Sequence, residues 1–328
     1  MFRKRYHKRS SFLPFVIFRS LLSLIIFGIF LIGIYGAFKQ FSGIDIVKIN
    51  LLQRDILGLV TNFIPASVSL PQSTTSVEEQ KEVSKPKVQT DLEFKFMLVT
   101  DSHNDNTNLK KALTQVPVDF VIGLGDYTEV GSISELEDVK KVFDSVGLRN
   151  YLTAGDHDLW DARNNNKPSG INFTQVLNSS HQSFSYKNTR FLMLDNSDNY
   201  TGFGEMQLKW LMEEISRIQV ENSSQLILAF LHEPLYHPSS TRIMGKVTPS
   251  LVDEAKKVTK LLKGAGVAEV FSGDIHYFTR YIEPETNMPM TTVGAITADR
   301  NAQSPRFAVV SVFDNGTYEV EDVEVRTP

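Results

Sequence analysis

Phe94–His103 reads FKFMLVTDSH, an apolar run of strand type that ends abruptly at Asp101 and His103. The arrangement recurs four times downstream. Phe120–Asp126 (FVIGLGD) ends on Asp126, and Tyr151–Asp158 (YLTAGDHD) on Asp156, His157 and Asp158. Leu226–His232 (LILAFLH) ends on His232, and Val267–His276 (VAEVFSGDIH) on Asp274 and His276. Between several of these runs apolar residues return at helical spacing, in Asn106–Val116, Ile133–Ser145, Gly204–Gln219 and Pro249–Gly264. Strands alternating with helices indicate a layered α/β domain. Ligands of such domains sit beyond the carboxyl ends of the strands, so the five polar clusters are expected to converge on one site. An aspartate after a strand is commonly a cap or turn residue, and one cluster alone would carry little weight. Four of the chain's seven histidines, however, stand in these clusters. His7, His181 and His237 lack that setting; His7 belongs to a basic arm, and the other two read as loop and turn residues.

The chain has no cysteine, which excludes thiolate-ligated zinc, iron–sulfur clusters, disulfides and thiol nucleophiles. Converging carboxylates and imidazoles suit Mn, Fe, Zn or Mg instead. Several carboxylates in one place repel one another unless cations neutralise them. Two ions about 3.5–4 Å apart that share one aspartate meet this need and serve phosphoester cleavage.

Asp101-Ser102-His103, Gly125-Asp126, Gly155-Asp156-His157-Asp158, His232 and Gly273-Asp274-Ile275-His276 follow one another in the order found in calcineurin-like metallophosphoesterases, and from about Lys95 the chain resembles that family. QLKWL (Gln207–Leu211) and HEPLY (His232–Tyr236) look like its surrounding sequence. The resemblance implies a four-layer αββα sandwich of two mixed β-sheets flanked by helices. The C-terminal stretch FAVVSVFDNGTYEVEDVEV, with Asp314-Asn315-Gly316 at a turn, fits a closing hairpin. The resemblance also implies a hydrolase of phosphate esters with two divalent metals and a bridging hydroxide as nucleophile. One metal is implied on Asp101, His103, Asp126 and His276, the other on Asp126, Asp156, His232 and Asp274. His157 is implied beside the leaving group, with Asp158 orienting its imidazole.

Three departures bear on the chemistry. The family usually has Asn where this chain has Asp156, and His where it has Asp274. It often has Asn or Asp just after the bridging aspartate, where Tyr127, Thr128 and Glu129 stand. The first two retain oxygen donors and make the second site harder and more anionic, which favours Mn²⁺, Mg²⁺ or Fe²⁺ over Zn²⁺. Glu129 occupies the place of the tyrosine that ligates iron in purple acid phosphatases. Alternative readings are a hydrolase of lipid pyrophosphates or phospholipid headgroups, and a degenerate, non-hydrolytic metal-binding or interaction domain. Arg163, Arg242 and Lys246, on polar loops beyond strand ends, are candidates for a second phosphate. Arg280 either reaches the site or pairs with a carboxylate.

The N-terminal part is of another kind. Residues 1–19 form a basic arm, and 20–38 a single transmembrane helix whose uncharged core, Leu21–Phe38, spans about 27 Å. Residues 39–70 follow as an amphipathic juxtamembrane segment, 71–92 as a flexible linker, and 93–328 as the catalytic domain. Positive charge before the span places the N-terminus in the cytoplasm and the domain on the exoplasmic side, extracellular or periplasmic. Residues 1–39 hold seven Lys or Arg and no acid; with a net charge of −4 overall, the remainder carries −11. So acidic a body argues against general nucleic-acid binding.

Overall fold

A computed structural model describes residues 90–221 and 226–326. The basic arm, the membrane helix, the juxtamembrane segment and nearly all of the linker lie outside them. Among the described residues no helix is long and apolar enough to cross a membrane.

The chain runs β1 (Leu92–Val99), α1 (Asn106–Gln115), β2 (Phe120–Gly123), α2 (Ile133–Val146), β3 (Arg149–Leu152), a 3₁₀ turn (His157–Leu159), α3 (Trp160–Asn164) and α4 (Ile171–Leu177). It continues through β4 (Gln182–Tyr186), β5 (Thr189–Met193), α5 (Gly204–Glu221), β6 (Leu226–Phe230), α6 (Leu251–Gly264) and β7 (Glu269–Ser272). β8 (Thr279–Glu283), β9 (Met288–Thr292), β10 (Arg306–Phe313) and β11 (Tyr318–Glu324) complete it. One sheet has the order β11-β10-β1-β2-β3 and the other β4-β5-β6-β7-β9-β8. Both are mixed: β1 is parallel to β2 and antiparallel to β10, while β5, β6, β7 and β9 are parallel between antiparallel edge strands.

The pleat of β1 sorts its side chains between two cores. Phe94, Phe96 and Leu98 enter an aromatic cluster with Phe120, Phe191, Phe230 and Phe271, drawn from both sheets. Met97 and Val99 face the other way, onto Leu109 and Leu113 of α1 and Leu136, Val139 and Phe143 of α2. A strand buried on both faces reads as a nearly continuous apolar run, which is what FKFMLV is. The Phe96 ring stacks on Phe120 at 5.4 Å and meets Phe191 edge-on at 5.3 Å. Each such ring contributes about 1.5–3 kcal/mol by leaving water. On the far side of the second sheet, Leu192, Ala229 and Val270 pack against Leu211 and Ile215 of α5 and Val258 and Leu262 of α6. Helices thus cover the outer face of each sheet, with the aromatic layer between the sheets.

Helix starts follow local chemistry. Asp105 caps α1 by accepting from Asn108 N, and Ser132 with Glu135 forms a capping box on α2. All four expected helices are present within two residues of their expected bounds. So is the C-terminal hairpin, which turns through Asp314–Gly316.

Candidate metal centre

The carboxyl ends of β1, β2, β3, β6 and β7 open onto one cleft of about 170 Å³. Their loops are sewn together by backbone bonds: Asp101 N donates to Gly125 O, His103 N to Asp126 O and Gly273 N to His232 O, each at 3.0 Å. Two glycines permit this approach. A Cβ at Gly125 would stand 2.4 Å from Gly155 N, and one at Gly155 would stand 2.1 Å from Asp126 Oδ1. The turns are sharp enough that Asp101, His103, Asp126, Asp274 and His276 all have positive φ, between 41° and 61°. Asp, Asn and His are among the non-glycine residues most often found there.

All seven expected ligands are drawn together. His276 Nε2 lies 3.4 Å from Asp101 Oδ1 and 3.2 Å from His103 Nε2. Asp126 Oδ2 lies 3.6 Å from His103 Nε2, and Asp126 Oδ1 lies 3.5 Å from His232 Nε2. His232 Nε2 is also 3.8 Å from Asp156 Oδ1, and Asp156, His232 and Asp274 bring one donor atom each within 4.8 Å of one another.

The donor set fits divalent cations. His232 donates Nδ1–H to Leu124 O at 2.7 Å, which aims its Nε2 at the carboxylates; against the effect of burial, Asp126, Asp156 and Asp101 push the imidazole well above its usual range. Neither that Nε2 nor Asp101 Oδ1, both buried, has a hydrogen-bond partner. His276 Nδ1 similarly faces Arg300 O at 3.2 Å, so a backbone carbonyl orients each ring, as is usual for metal-binding imidazoles. Burial, with the Asp156 and Asp101 carboxylates nearby, pushes Asp126 well above the usual carboxylate range despite the opposing pull of His232. Burial raises Asp274 as well. At Asp101 burial works in the same direction, but His276, His232 and His103 together outweigh it and hold the group low. Burial pushes His103 down to about 3. Bound cations would relieve this crowding of acids.

His157 has a different environment. Its Nδ1 donates to Glu129 O at 2.7 Å, its ring stacks on Trp160 at 3.7 Å, and it lines the cleft. Asp158 does not orient it, contrary to the expectation from the family motif. The Asp158 carboxylate is fully buried and accepts from Thr128 N, Thr128 Oγ1 and Gly155 N at 3.1, 2.8 and 3.0 Å. The 3₁₀ turn after β3 sends its side chain inward as a brace between two loops. The carbonyl that holds His157 belongs to Glu129, whose own carboxylate pairs with Arg300 at 2.6 Å. Glu129 and Arg300 therefore link the two carbonyls that orient His157 and His276.

Arg242 and Lys246 line the cleft, whereas Arg163 lies over the Tyr200 ring and bonds Asn199. Arg280 pairs with Glu269 at 3.1 Å. His237 is a turn residue, its Nδ1 accepting from Ser239 N and Ser240 N. Three cleft residues went unforeseen: Asn199, which donates to Asp156 Oδ2 at 3.3 Å, Glu233 and Arg300. Burial next to Asp274 pushes Glu233 up to about 8. Asn199 had a signal, because Phe191–Leu194 is a further apolar run that ends in Asp195-Asn196.

A family model described as calcineurin-like phosphoesterase matches residues 94–278. No curated protein matches. Similar solved structures include a metallophosphoesterase from Sphaerobacter thermophilus, 14% identical, covering 71% of this chain and 89% of that one with a TM-score of 0.38. GAP50, described as the anchor in the inner membrane complex of Plasmodium, is 15% identical over 72% of this chain and 90% of its own, with a TM-score of 0.46. A predicted phosphoesterase from Streptococcus pneumoniae TIGR4 is 13% identical over 71% and 92%, with a TM-score of 0.38. The family match spans more than half of the chain and every strand-end cluster, so the chain belongs to the calcineurin-like phosphoesterase family and is a metal-dependent hydrolase of phosphoric esters.

Proposed function

We propose that the cleft holds two divalent ions, one on Asp101, His103, Asp126 and His276 and one on Asp126, Asp156, His232 and Asp274, and cleaves phosphomonoesters or phosphodiesters. The observation that carries this reading is the placement of Asp126. Its two carboxylate oxygens face different imidazoles, His103 at 3.6 Å and His232 at 3.5 Å, so one side chain spans two groups of donors. When bound, the ions supply an activated water at neutral pH and neutralise charge on the phosphoryl oxygens. The protein's residues do the rest. Asp126 holds its orientation by accepting from His157 N at 2.9 Å. His157, with Nδ1 committed to Glu129 O, presents Nε2 to the cleft, where in its protonated form it donates to the departing oxygen. Asp156 and Asp274 give the second ion oxygen donors, which supports Mn²⁺, Mg²⁺ or Fe²⁺ over Zn²⁺, with Mn²⁺ our first choice. The test is turnover of bis(p-nitrophenyl) phosphate and of p-nitrophenyl phosphate by Mn²⁺-loaded protein. His157→Ala should lower kcat about 10²–10⁴-fold with metal content near two, most severely for an alkyl leaving group. Equal loss for good and poor leaving groups would remove the proton-donor role.

We also propose, from the charge asymmetry around Leu21–Phe38, that the domain is tethered to a membrane and faces its exoplasmic side. Protease added to intact cells, with any outer envelope opened, should cut in Pro71–Thr90; protection of that linker until the membrane is broken refutes this topology.

A further inference from the structure

Four of the expected metal ligands are carboxylates, and two divalent ions balance their charge. Cations elsewhere on the cleft wall are then left for something that is not a metal ligand. Arg242 and Lys246 stand on that wall. Most arginines of the fold are already matched: Arg280, Arg300 and Arg306 each lie within 3.1 Å of a carboxylate oxygen. Among the described residues neither Arg242 nor Lys246 forms a close ion pair with a carboxylate, although the Arg242 charge is near enough to oppose the effect of burial on Asp274. Arg242 Nη1 instead donates to Asp274 O at 3.0 Å, which lays the guanidinium alongside the second group of ligands and leaves most of its donors unused.

The segment that carries them is built rather than loose. His237 accepts from Ser239 N and Ser240 N, and its other ring nitrogen bonds Thr279 Oγ1 at 3.0 Å. Met244 is buried, and its N–H donates to Pro234 O at 2.9 Å. Gly245, at φ 94°, lets the chain pass so close to α6 that a Cβ would meet Val252 at 2.5 Å. Arg242 and Lys246 therefore project from a backbone fixed on both sides of each.

We infer that Arg242 and Lys246 form a subsite for a second phosphate, so that the substrate is a phosphoanhydride, a diphosphate joined to an organic group. This rests on the phosphoesterase reading above. The phosphate nearer the carboxylates and imidazoles reacts, and its neighbour is held by the guanidinium and the ammonium. A water oxygen adds to the reacting phosphorus, the bond from that phosphorus to the bridging oxygen breaks, and the bridging oxygen leaves on the second phosphate. One P–O–P link and one water become two phosphate groups, with the water's protons shared between product and solvent. A phosphate leaving group needs little protonation, so this substrate depends less on His157 than an alkyl ester does.

The test uses the full chain in detergent with Mn²⁺. Its substrates are bis(p-nitrophenyl) phosphate, which has one phosphate, and two phosphoanhydrides, a nucleoside diphosphate sugar and a short prenyl diphosphate. The wild type should favour at least one phosphoanhydride over the single-phosphate diester in kcat/KM, and which one identifies the organic group. Losing a charge-assisted contact costs about 10–100-fold. Arg242→Gln, which keeps a donor for Asp274 O, should lose that much more on the phosphoanhydride than on the diester, mainly through KM. Lys246→Ala should act in the same direction. Equal losses on both substrate types, no wild-type preference for either phosphoanhydride, or loss of metal from Arg242→Gln would each overturn the subsite. Wild-type protein that hydrolyses none of the three would instead contradict the phosphoesterase reading itself.

Discussion

Replacing Asp158 separates bracing from catalysis. Its carboxylate receives three hydrogen bonds in a fully buried position and ties the loop after β2 to the loop after β3. Asp158→Ala leaves Thr128 N, Thr128 Oγ1 and Gly155 N without their acceptor. Each orphaned donor costs about 1–3 kcal/mol. Part of this is offset because a buried charge is no longer carried, a burden visible in burial pushing Asp158 up to about 6. The net loss should be about 3–5 kcal/mol, the range for breaking a buried charged interaction. For a domain of this size that lowers Tm by about 6–20 °C. Asp158→Asn keeps one acceptor oxygen and should lose about 1–3 kcal/mol. The assay is thermal unfolding of the metal-loaded protein, paired with kcat measured well below the variant's Tm. Because Glu129 O still holds His157, kcat should fall less than tenfold, short of the 10²-fold or greater loss of a missing proton donor. An unchanged Tm with a kcat loss as large as that of His157→Ala would refute the reasoning and restore Asp158 as the group that orients the imidazole.

Asp126→Asn should abolish binding of both ions, whereas His232→Ala should weaken one; metal analysis after dialysis distinguishes them, and two tightly held ions in Asp126→Asn would end the bridging assignment. Asp156→Asn combined with Asp274→His should shift the activating metal from Mn²⁺ towards Zn²⁺, because imidazole is the softer donor; an unchanged preference would show that neither residue is a ligand. Breaking the Glu129–Arg300 pair with Glu129→Gln should lower kcat about 3–30-fold at nearly constant Tm, since an exposed ion pair itself adds at most about 1 kcal/mol. The charge-swapped double variant should recover part of the loss, and no recovery would mean that the pair does not position the two imidazoles.

The proposed metal ligands were legible in the sequence because each follows an apolar strand at a fixed place in the fold. Asp101 and Asp126 extend neighbouring parallel strands and His232 extends a strand of the other sheet, so the rule relating strand ends to ligands sufficed. The role of Asp158 was not legible, because whether it turns towards His157 or towards Thr128 depends on the 3₁₀ turn, which spacing alone does not reveal. Arg300 was missed for another reason: it follows β9, whose run MPMTT is half polar, and it acts through its carbonyl as much as its side chain. Glu233 follows His232 directly, and nothing in the sequence sets it apart from that neighbour. The hairpin of β4 and β5 went unremarked, since QSFSY alternates weakly and is only half-buried at the sheet edge.

Five of the seven proposed ligands sit in a left-handed backbone conformation, and this bears on how such a site can decay. At about 1 kcal/mol each for residues with a side chain, the arrangement forgoes stability comparable to the lower end of a domain's whole reserve, about 5 kcal/mol. Bound ions would return it, because a ligand that binds only the native state stabilises that state. Glycine at any of these positions would relieve the strain and remove a ligand in the same change. Loss of the ions should therefore cost this fold stability as well as turnover.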